Sequence, residues 1–403
     1  MKLVAKIPFH YGWMIVLSGA LTLFACLGLA RFAFGLLLPA MHQALSLGYD
    51  QMGLISTGNF VGYLISVALS PLLIRRFGPR AVICAGLLLV FFSMLLISRS
   101  QTLGALTLFY GLVGAGSGFA NIPTMVLVSH WFRRNKRGLA AGLIIAGNGM
   151  AIIVAGLAVP AINAAYGWRS SWLGLALVSL LAAAVALLVV RNDPAELGLE
   201  PYGQFEAVRT GDFQAHAGTK ILLQLGIIYL IFGLTYMVYG TFIVTTMVDE
   251  FGFSEAAAGR LWSWVGFFGL FSGVVFGTVS DRIGRRNGMV LVYGMFTCAY
   301  LLAGFGGHLG AWALWLSVIC YGSVLFAVPT IMAAAVTEYL GLERAASGFS
   351  ALTLFFAAGQ IIGPGSAGLL AEISKTFVPS YLVSAGLTAL AILLTLKLKN
   401  PQA

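Results

Sequence analysis

The sequence predicts an all-α membrane protein in which 12 transmembrane helices form two pseudo-symmetric six-helix bundles. Of its 403 residues, 60% are hydrophobic and 9% are charged, which excludes a water-soluble globular protein. A helix needs about 20 apolar residues to cross a bilayer, and because backbone polar groups there must be hydrogen-bonded within their own segment, runs of this length predict helices rather than strands. Such apolar runs span residues 12–41, 51–73, 81–98, 102–129, 139–163, 171–190, 221–247, 255–277, 289–306, 311–337, 347–370 and 377–396.

A repeat predicts that the two halves of the chain share one structure. Residues 71–80 resemble residues 277–286, and Pro123 matches Pro329 at the same offset of about 206 residues. Duplicated halves are common among secondary transporters, whose binding site lies near the bilayer midplane between the halves. We therefore predict an N-terminal six-helix bundle, a cytoplasmic linker and a C-terminal six-helix bundle, at residues 1–190, 191–220 and 221–403.

The charge distribution predicts the orientation in the membrane. The net charge is +10, and lysines and arginines cluster at residues 75–80, 133–137 and 282–286 and at both ends of the chain. Positive residues concentrate on the cytoplasmic side, so we predict cytoplasmic termini in a bacterial cytoplasmic (inner) membrane. A nucleic-acid partner is disfavoured because these clusters are short and lie at the ends of spans. The first run shows no small-residue cleavage site, which favours a retained span.

No residue pattern indicates an enzyme, a metal site or a cofactor. The four cysteines lie within predicted spans and lack metal-ligand spacing, so we expect them to be packing residues. The spans contain no cluster of catalytic residue types. A phosphate-binding Walker pattern is also absent from the sequence, which argues against direct use of ATP.

Arg31 is the strongest candidate for a substrate ligand. Apolar residues precede it from Val16 and follow it to Met41. If the helix runs to Met41, Arg31 lies about 15 Å from that end. A charge at this depth costs about 2.5–3.5 kcal/mol and is expected to face a cavity or a partner. The alternative is a span that ends near residue 31, so that the side chain reaches the membrane surface.

Polar side chains on three further spans of the first half are candidate substrate contacts. Asn59 and Tyr63 are four residues apart and share a helix face. Asn121 and Thr124 share a face of the glycine-rich fourth span, and Asn148 lies between two glycines of the fifth. Amides in membrane spans often bond only to neighbouring helices, so that interpretation stays open for each asparagine.

The second half supplies four more candidate substrate contacts. Tyr236 occupies the repeat position of Arg31, and Tyr239 lies one turn further. The two tyrosines either line a cavity or are aromatics of the membrane interface. Trp264 lies one turn inside the eighth span, and Gln360 supplies an amide to the eleventh, beside glycine and proline residues that bend the helix.

Several motifs resemble those of one transporter family. Gly277-x3-Asp281-Arg282-x-Gly284-Arg285-Arg286 resembles the loop signature of the major facilitator superfamily, whose duplicated 12-span plan is similar to this chain over essentially its whole length. Three further segments resemble members of the family that carry small organic anions, including monocarboxylate and oxalate/formate carriers. These segments are Trp131-Phe-Arg-Arg-Asn-Lys-Arg-Gly138, Gly167-Trp-Arg169 and Asp193-Pro-Ala-Glu-Leu-Gly-Leu-Glu-Pro201. Two shorter segments resemble the bacterial YbfB/YjiJ-like subgroup, namely Arg31-Phe-x6-Pro39 and Asn59-Phe-Val-Gly-Tyr63.

The resemblance implies the major facilitator fold, in which two bundles rock about a central cavity. In that family the aspartate of the signature locks the cytoplasmic side by meeting a helix N-terminus in the other half. This role falls to Asp281, directed near the start of the fifth span; such contacts stabilise by about 0.3–1 kcal/mol. Arg75 stands where the first copy would carry aspartate, which implies unequal gates. The other predicted gating residues are Gly277, Arg282, Gly284, Arg285 and Arg286.

The predicted function is secondary active transport of a small organic anion, with carboxylates the favoured class. No Asp or Glu lies deep within a predicted span, whereas an arginine without a protein counter-ion suits a carboxylate. The expected partners are the small-molecule substrate and the lipid bilayer, with proton coupling and exchange both open and a monomer expected. The alternatives are efflux of neutral or amphipathic compounds, such as drugs or metabolites, and a non-transporting sensor or scaffold.

Overall fold

The computed structural model describes residues 9–204 and 219–398, and these residues are almost entirely helical. By length and composition, eleven helices of this described part could cross a membrane. One of them, Tyr49–Ile97, contains the predicted second and third spans, because the backbone leaves the helical conformation at Gly78. The predicted all-α membrane fold with twelve spans is therefore confirmed.

We number the spanning helices in chain order and count the two parts of Tyr49–Ile97 separately. Several helices extend beyond the predicted apolar runs, because backbone hydrogen bonding continues into polar turns where the apolar composition has ended. The helices are α1 (Gly12–Leu45), α2 (residues 49–77), α3 (residues 79–97), α4 (Leu103–Trp131), α5 (Arg134–Tyr166), α6 (Trp168–Val189), α7 (Lys220–Glu250), α8 (Glu255–Ile283), α9 (Arg285–Gly304), α10 (Ala311–Leu340), α11 (Leu342–Ser374) and α12 (Val378–Leu396).

The two copies of the arginine-rich motif turn the chain in the same way. Gly78 has φ 79° and ψ 158°, and Gly284 has φ 87° and ψ 150°. This region of backbone space is open to glycine and strained for other residues. Glycine therefore lets one transmembrane helix follow another without a loop at both places.

The described residues group into two compact units. One comprises residues 9–37 and 58–204, and the other comprises residues 38–57 and 219–398. The C-terminal end of α1 and the first turns of α2 thus group with the second unit, although they belong to the first half of the sequence. The predicted division into bundles at the 191–220 linker stays a prediction.

Close helix contacts within the first unit depend on glycine. A Cβ atom added to Gly114 of α4 would lie 1.9 Å from the backbone oxygen of Asn59 of α2. A Cβ atom added to Gly62 would lie 1.8 Å from the backbone oxygen of Gly111. Small residues at membrane helix contacts let backbones approach this closely, so α4 lies directly against α2.

The first part of the predicted linker packs against the end of α4. The backbone N–H of Arg133 donates to the carbonyl of Tyr202 at 2.9 Å, and the N–H of Tyr202 donates to the carbonyl of Trp131 at 2.9 Å. The Trp131 indole Nε1 donates to the carbonyl of Arg191 at 3.0 Å. Residues 191–204 are therefore bound to the first unit, while residues 205–218 lie outside the described part.

We expect Gly114→Ala to lower the yield of folded protein and its thermal unfolding temperature, because the new methyl group would force α2 and α4 apart. Overpacking of this kind costs about 1–3 kcal/mol. Gly104→Ala is the matched control on the same helix, since no atom lies within 4 Å of a Cβ atom added there. Fluorescence-detected gel filtration and thermal unfolding in detergent measure both effects; equal behaviour of the two variants would contradict the close packing.

Candidate functional site

Arg31 is deeply buried in α1. Its residue exposure is 9%, and it is the only charged residue that is buried among the side chains the structure describes. Helix α1 continues past it to Leu45. The alternative in which the span ends near residue 31 and the guanidinium reaches the membrane surface therefore does not fit the structure.

The backbone of α1 is irregular on both sides of Arg31. Phe24–Leu29 forms a wider, π-helical turn, and the α-helical pattern is interrupted again at Ala33. Such turns occur frequently at functional sites. The first of these turns contains Gly28, a residue that is destabilising in a helix interior.

Hydroxyl groups of α4 bind the carbonyls of this irregular stretch. Ser117 Oγ donates to the carbonyl of Cys26 at 2.5 Å. The Tyr110 hydroxyl lies 3.3 Å from the carbonyl oxygens of both Ala30 and Arg31. Side chains of one neighbouring helix thus satisfy carbonyls at both ends of the stretch that carries Arg31.

The Arg31 guanidinium lies over two aromatic rings of α2. Its central carbon is 4.9 Å from the ring centroid of Phe60 and 4.7 Å from that of Tyr63. Asn121 Nδ2 of α4 donates to the Tyr63 hydroxyl at 2.9 Å. The structure therefore brings together three of the predicted substrate residues, Arg31, Tyr63 and Asn121. Phe60 belongs to the same cluster and was not predicted, because a phenylalanine in an apolar run is indistinguishable from packing residues.

The guanidinium has no charged partner within the described part of the protein. Arg31 forms no ion pair there, and its buried Nε and Nη2 atoms have no hydrogen-bond partner. Burying a donor unpaired costs about 1–3 kcal/mol, and more when it is charged. Nε and Nη2 lie on the same edge of the planar guanidinium, so the unpaired donors form a two-pronged fork.

The other predicted polar residues of the first half differ in how they are bonded. Asn59 Nδ2 donates to the backbone carbonyl of Tyr110 at 3.0 Å, so this amide ties α2 to α4. Thr124 donates to the Ala120 carbonyl of its own helix at 2.7 Å. Asn148 is buried, and its Oδ1 has no hydrogen-bond partner among the described residues. Asn59 Oδ1 likewise has no partner among the described residues, so both asparagines keep an unpaired amide oxygen.

In the second unit, Tyr236, Tyr239 and Gln360 belong to a buried aromatic network. Gln360 Nε2 donates to the Tyr236 hydroxyl, and Tyr239 hydrogen-bonds through its hydroxyl to Ser317 Oγ at 2.9 Å. The ring of Tyr239 stacks on that of Tyr321 at a centroid distance of 4.0 Å. These residues are neighbours in the buried interior of the unit.

Trp264 lies apart from this network. It is 42% exposed on α8, where its ring contacts Phe267 and Phe268 at centroid distances of 5.4 Å and 6.0 Å. The structure therefore places it in an exposed aromatic stripe. Its predicted contact with substrate stays a prediction.

The predicted gating loop is held by Arg285. Its guanidinium pairs with Asp281 and, at 2.8 Å, with Glu338 Oε1 of α10, and it donates to Ser280 Oγ at 2.7 Å. Gly277 lies one turn before Asp281, and Gly284 makes the turn into α9. Among the described residues, Arg282 forms no ion pair. Arg286 is the second residue of α9, directly after Arg285. In the first copy of the motif, Arg75 is exposed.

Two carboxylates outside the predicted site close helix ends in the second unit. Glu372 Oε2 accepts from the backbone N–H of Tyr49, the first residue of α2, at 2.9 Å. Glu250 accepts from Thr376 Oγ1 at 2.7 Å and from the N–H of Phe377, at the start of α12, at 2.6 Å. Carboxylates at helix N-termini are stabilising. Sequence reasoning did not find these contacts, because the partners are 323 and about 127 residues apart.

The helical arrangement is that of solved membrane transporters. The crystal structure of the nucleoside transporter NupG superimposes with a TM-score of 0.75 at 14% sequence identity, covering 97% of this chain and 100% of that one. At this identity the likeness establishes the fold alone. The chain thus shares the multi-pass helical fold of that structure.

Sequence comparisons identify the family. The model of the Major Facilitator Superfamily matches residues 20–364 and again residues 225–403, so the chain belongs to this superfamily of membrane transporters. The hexuronate transporter of Bacillus subtilis (strain 168) is 24% identical over 93% of this chain and 91% of its own length. Monocarboxylate transporter 13 of Rattus norvegicus is 25% identical over 96% of this chain and 89% of its own length. The resemblance to the superfamily and to monocarboxylate carriers is confirmed, while the narrower subgroup stays a prediction.

We expect Arg285→Gln to destabilise the protein more than Arg282→Gln does. The first change leaves Asp281 and Glu338 without their cation, and since the Arg285 side chain is 14% exposed, the loss is about 1 kcal/mol. Arg282→Gln removes an exposed charge without an ion pair and should stay within about 0.5 kcal/mol. Thermal unfolding of the two purified variants in one detergent makes the comparison, and equal unfolding temperatures would rule out a structural role for the Arg285 pairs.

Proposed function

We propose that the protein carries small organic anions, carboxylates in particular, across the cytoplasmic membrane by alternating access, with both termini in the cytoplasm. The observation that carries the proposal is the buried Arg31 fork, whose Nε and Nη2 donors have no partner within the described residues. A charge buried in a membrane helix is costly, so its presence calls for a compensating function.

The geometry of the fork favours a carboxylate over other anions. Arginine presents two parallel N–H groups that match the two oxygens of a carboxylate, and such charge-assisted pairs are roughly twice as strong as neutral hydrogen bonds. Phosphate is also recognised in this way. The relatives named above, however, are carriers of hexuronate and of monocarboxylates, which supports the carboxylate.

The rings of Phe60 and Tyr63, which form an aromatic platform under the guanidinium, favour a substrate with an apolar or ring-shaped part. Phe60 and Tyr63 lie under the guanidinium and keep its face occupied, so the edge is left for the ligand. Because Nε and Nη2 are both buried, a carboxylate reaches them only after the surrounding side chains move. Alternating access supplies such a movement in each cycle.

A cationic cargo is disfavoured by the charges of the interior. No aspartate or glutamate is buried among the side chains that the structure describes, so a cation would find no fixed counter-charge. Because no carboxylate is buried among the described residues, a co-transported proton would be bound by the carboxyl group of the substrate or by a carboxylate near a helix end, such as Glu250 or Glu372. Anion exchange would need neither.

We expect Arg31→Ala to abolish uptake of a carboxylate, and Arg31→Lys to retain a small fraction of it, because lysine keeps the charge but lacks the fork. Loss of a buried charge-assisted pair predicts a fall in affinity of about tenfold to 100-fold. Uptake of labelled D-glucuronate and L-lactate into proteoliposomes measures this. Arg99→Ala, at an exposed arginine, is the control with unchanged uptake. Wild-type uptake by Arg31→Ala would remove Arg31 from the site.

We expect carboxylates to raise the thermal unfolding temperature of the wild-type protein and their amides to leave it unchanged. D-glucuronate and L-lactate would be compared with glucuronamide and lactamide, which keep the shape but lose the charge. Stabilisation scales with ligand concentration over Kd, reaching about 2.7 kcal/mol at 100 Kd. Equal stabilisation by acid and amide would instead favour a carrier of neutral compounds.

A further inference from the structure

The part of α1 that carries Arg31 is attached to α4 at two points. Ser117 Oγ binds the Cys26 carbonyl before Arg31, and the Tyr110 hydroxyl binds the carbonyls of Ala30 and Arg31 itself. Residues 110 and 117 are seven apart, which is two helical turns, so both hydroxyls lie on one face of α4. The irregular stretch is thereby bound to α4 on both sides of its π-helical turn's last residue, at Cys26 and at Ala30 and Arg31.

The same face of α4 also fixes the aromatic platform under the guanidinium. Asn121, four residues after Ser117, donates from Nδ2 to the hydroxyl of Tyr63, and the Tyr63 ring lies 4.7 Å from the Arg31 guanidinium. Helix α4 therefore holds both the backbone of Arg31 and the Tyr63 ring that contacts the guanidinium. The direction of the fork depends on both.

The hydroxyl of Tyr110 can be separated from its ring. The ring stacks on Phe34 at a centroid distance of 4.3 Å and meets Trp172 edge-on at 6.0 Å, and all three residues are buried. Replacing Tyr110 by phenylalanine keeps these ring contacts and removes only the hydroxyl. A change in Arg31 after this substitution would therefore come from the bonds to the Ala30 and Arg31 carbonyls.

The second half repeats this arrangement at an offset of 205 residues along the first helix. Tyr236 corresponds to Arg31, and its carbonyl accepts from the Tyr321 hydroxyl at 2.5 Å. Tyr239 corresponds to Phe34, and its ring stacks on that of Tyr321 at 4.0 Å. A tyrosine of the fourth helix of each half thus contacts the same position of the first helix, although Tyr321 follows Tyr110 by 211 residues and not by the repeat offset of about 206.

We propose that Tyr110 is a positioning residue for substrate binding: its hydroxyl holds the α1 backbone at Arg31 and so directs the unpaired edge of the guanidinium. The substrate-binding part of this inference rests on the proposed function of Arg31. The positioning part does not, because it concerns the orientation and access of the guanidinium in the unliganded protein.

Two measurements on Tyr110→Phe test the proposal. The first is the rate at which phenylglyoxal modifies Arg31 in proteoliposomes, followed by peptide mass spectrometry, and we expect at least a threefold increase. The second is uptake of D-glucuronate and L-lactate, where we expect KM to rise by about three- to tenfold with the maximal rate nearly unchanged.

Tyr293→Phe is the matched control. Tyr293 is buried, and its hydroxyl donates to the Ile228 carbonyl at 2.7 Å, so the variant loses the same kind of bond far along the sequence from the Arg31 cluster. We expect wild-type labelling of Arg31 and wild-type KM. Equal labelling rates in the two tyrosine variants would overturn the proposal, whether both are raised or both stay at the wild-type value. If Arg31→Ala transports normally while Tyr110→Phe still accelerates labelling, the proposed function fails and the positioning role stands.

Discussion

The structure of the first unit depends on the burial of one guanidinium without a counter-ion. Arg31 is covered by Phe60 and Tyr63, and its two edge donors are unpaired within the described residues. Such a group is unfavourable in a low-dielectric interior, because no carboxylate of the described residues compensates its charge. The neighbouring helix α4 accordingly binds the Arg31 backbone and the Tyr63 ring. The Nε and Nη2 donors at the edge of the guanidinium stay unpaired within the described residues.

The two halves use one scaffold for different chemistry. In both, a tyrosine hydroxyl of the fourth helix binds the first helix at corresponding positions, Arg31 and Tyr236. In the first half that position carries a charge beside an interrupted helix, whereas in the second it carries a tyrosine within a continuous helix, bonded to Gln360. The two halves thus share this contact with the first helix, while the side chain at the shared position is charged in one half and neutral in the other.

Charged groups at helix ends complete the arrangement. Arg285 binds Asp281 and Glu338 in the second copy of the motif, while the first copy carries the exposed Arg75 in place of an acid. Glu372 and Glu250 accept backbone N–H groups at the starts of α2 and α12.

The sequence by itself determined the class and the number of spans, because bilayer thickness converts apolar length directly into helices. It left the depth of Arg31 open between two alternatives, and the burial of that side chain was decided by the structure. The repeated motif at residues 71–80 and 277–286 also indicated a duplicated structure, whereas the backbone conformations of Gly78 and Gly284 emerged only from the structure. Only the tertiary structure decided that Phe60 joins the site, that Asn59 and Thr124 bond to backbone, and that Tyr110 and Glu372 find partners on other segments. These outcomes depend on which helix faces meet, and helix packing in a membrane is governed by close shape fit that periodicity and composition do not encode.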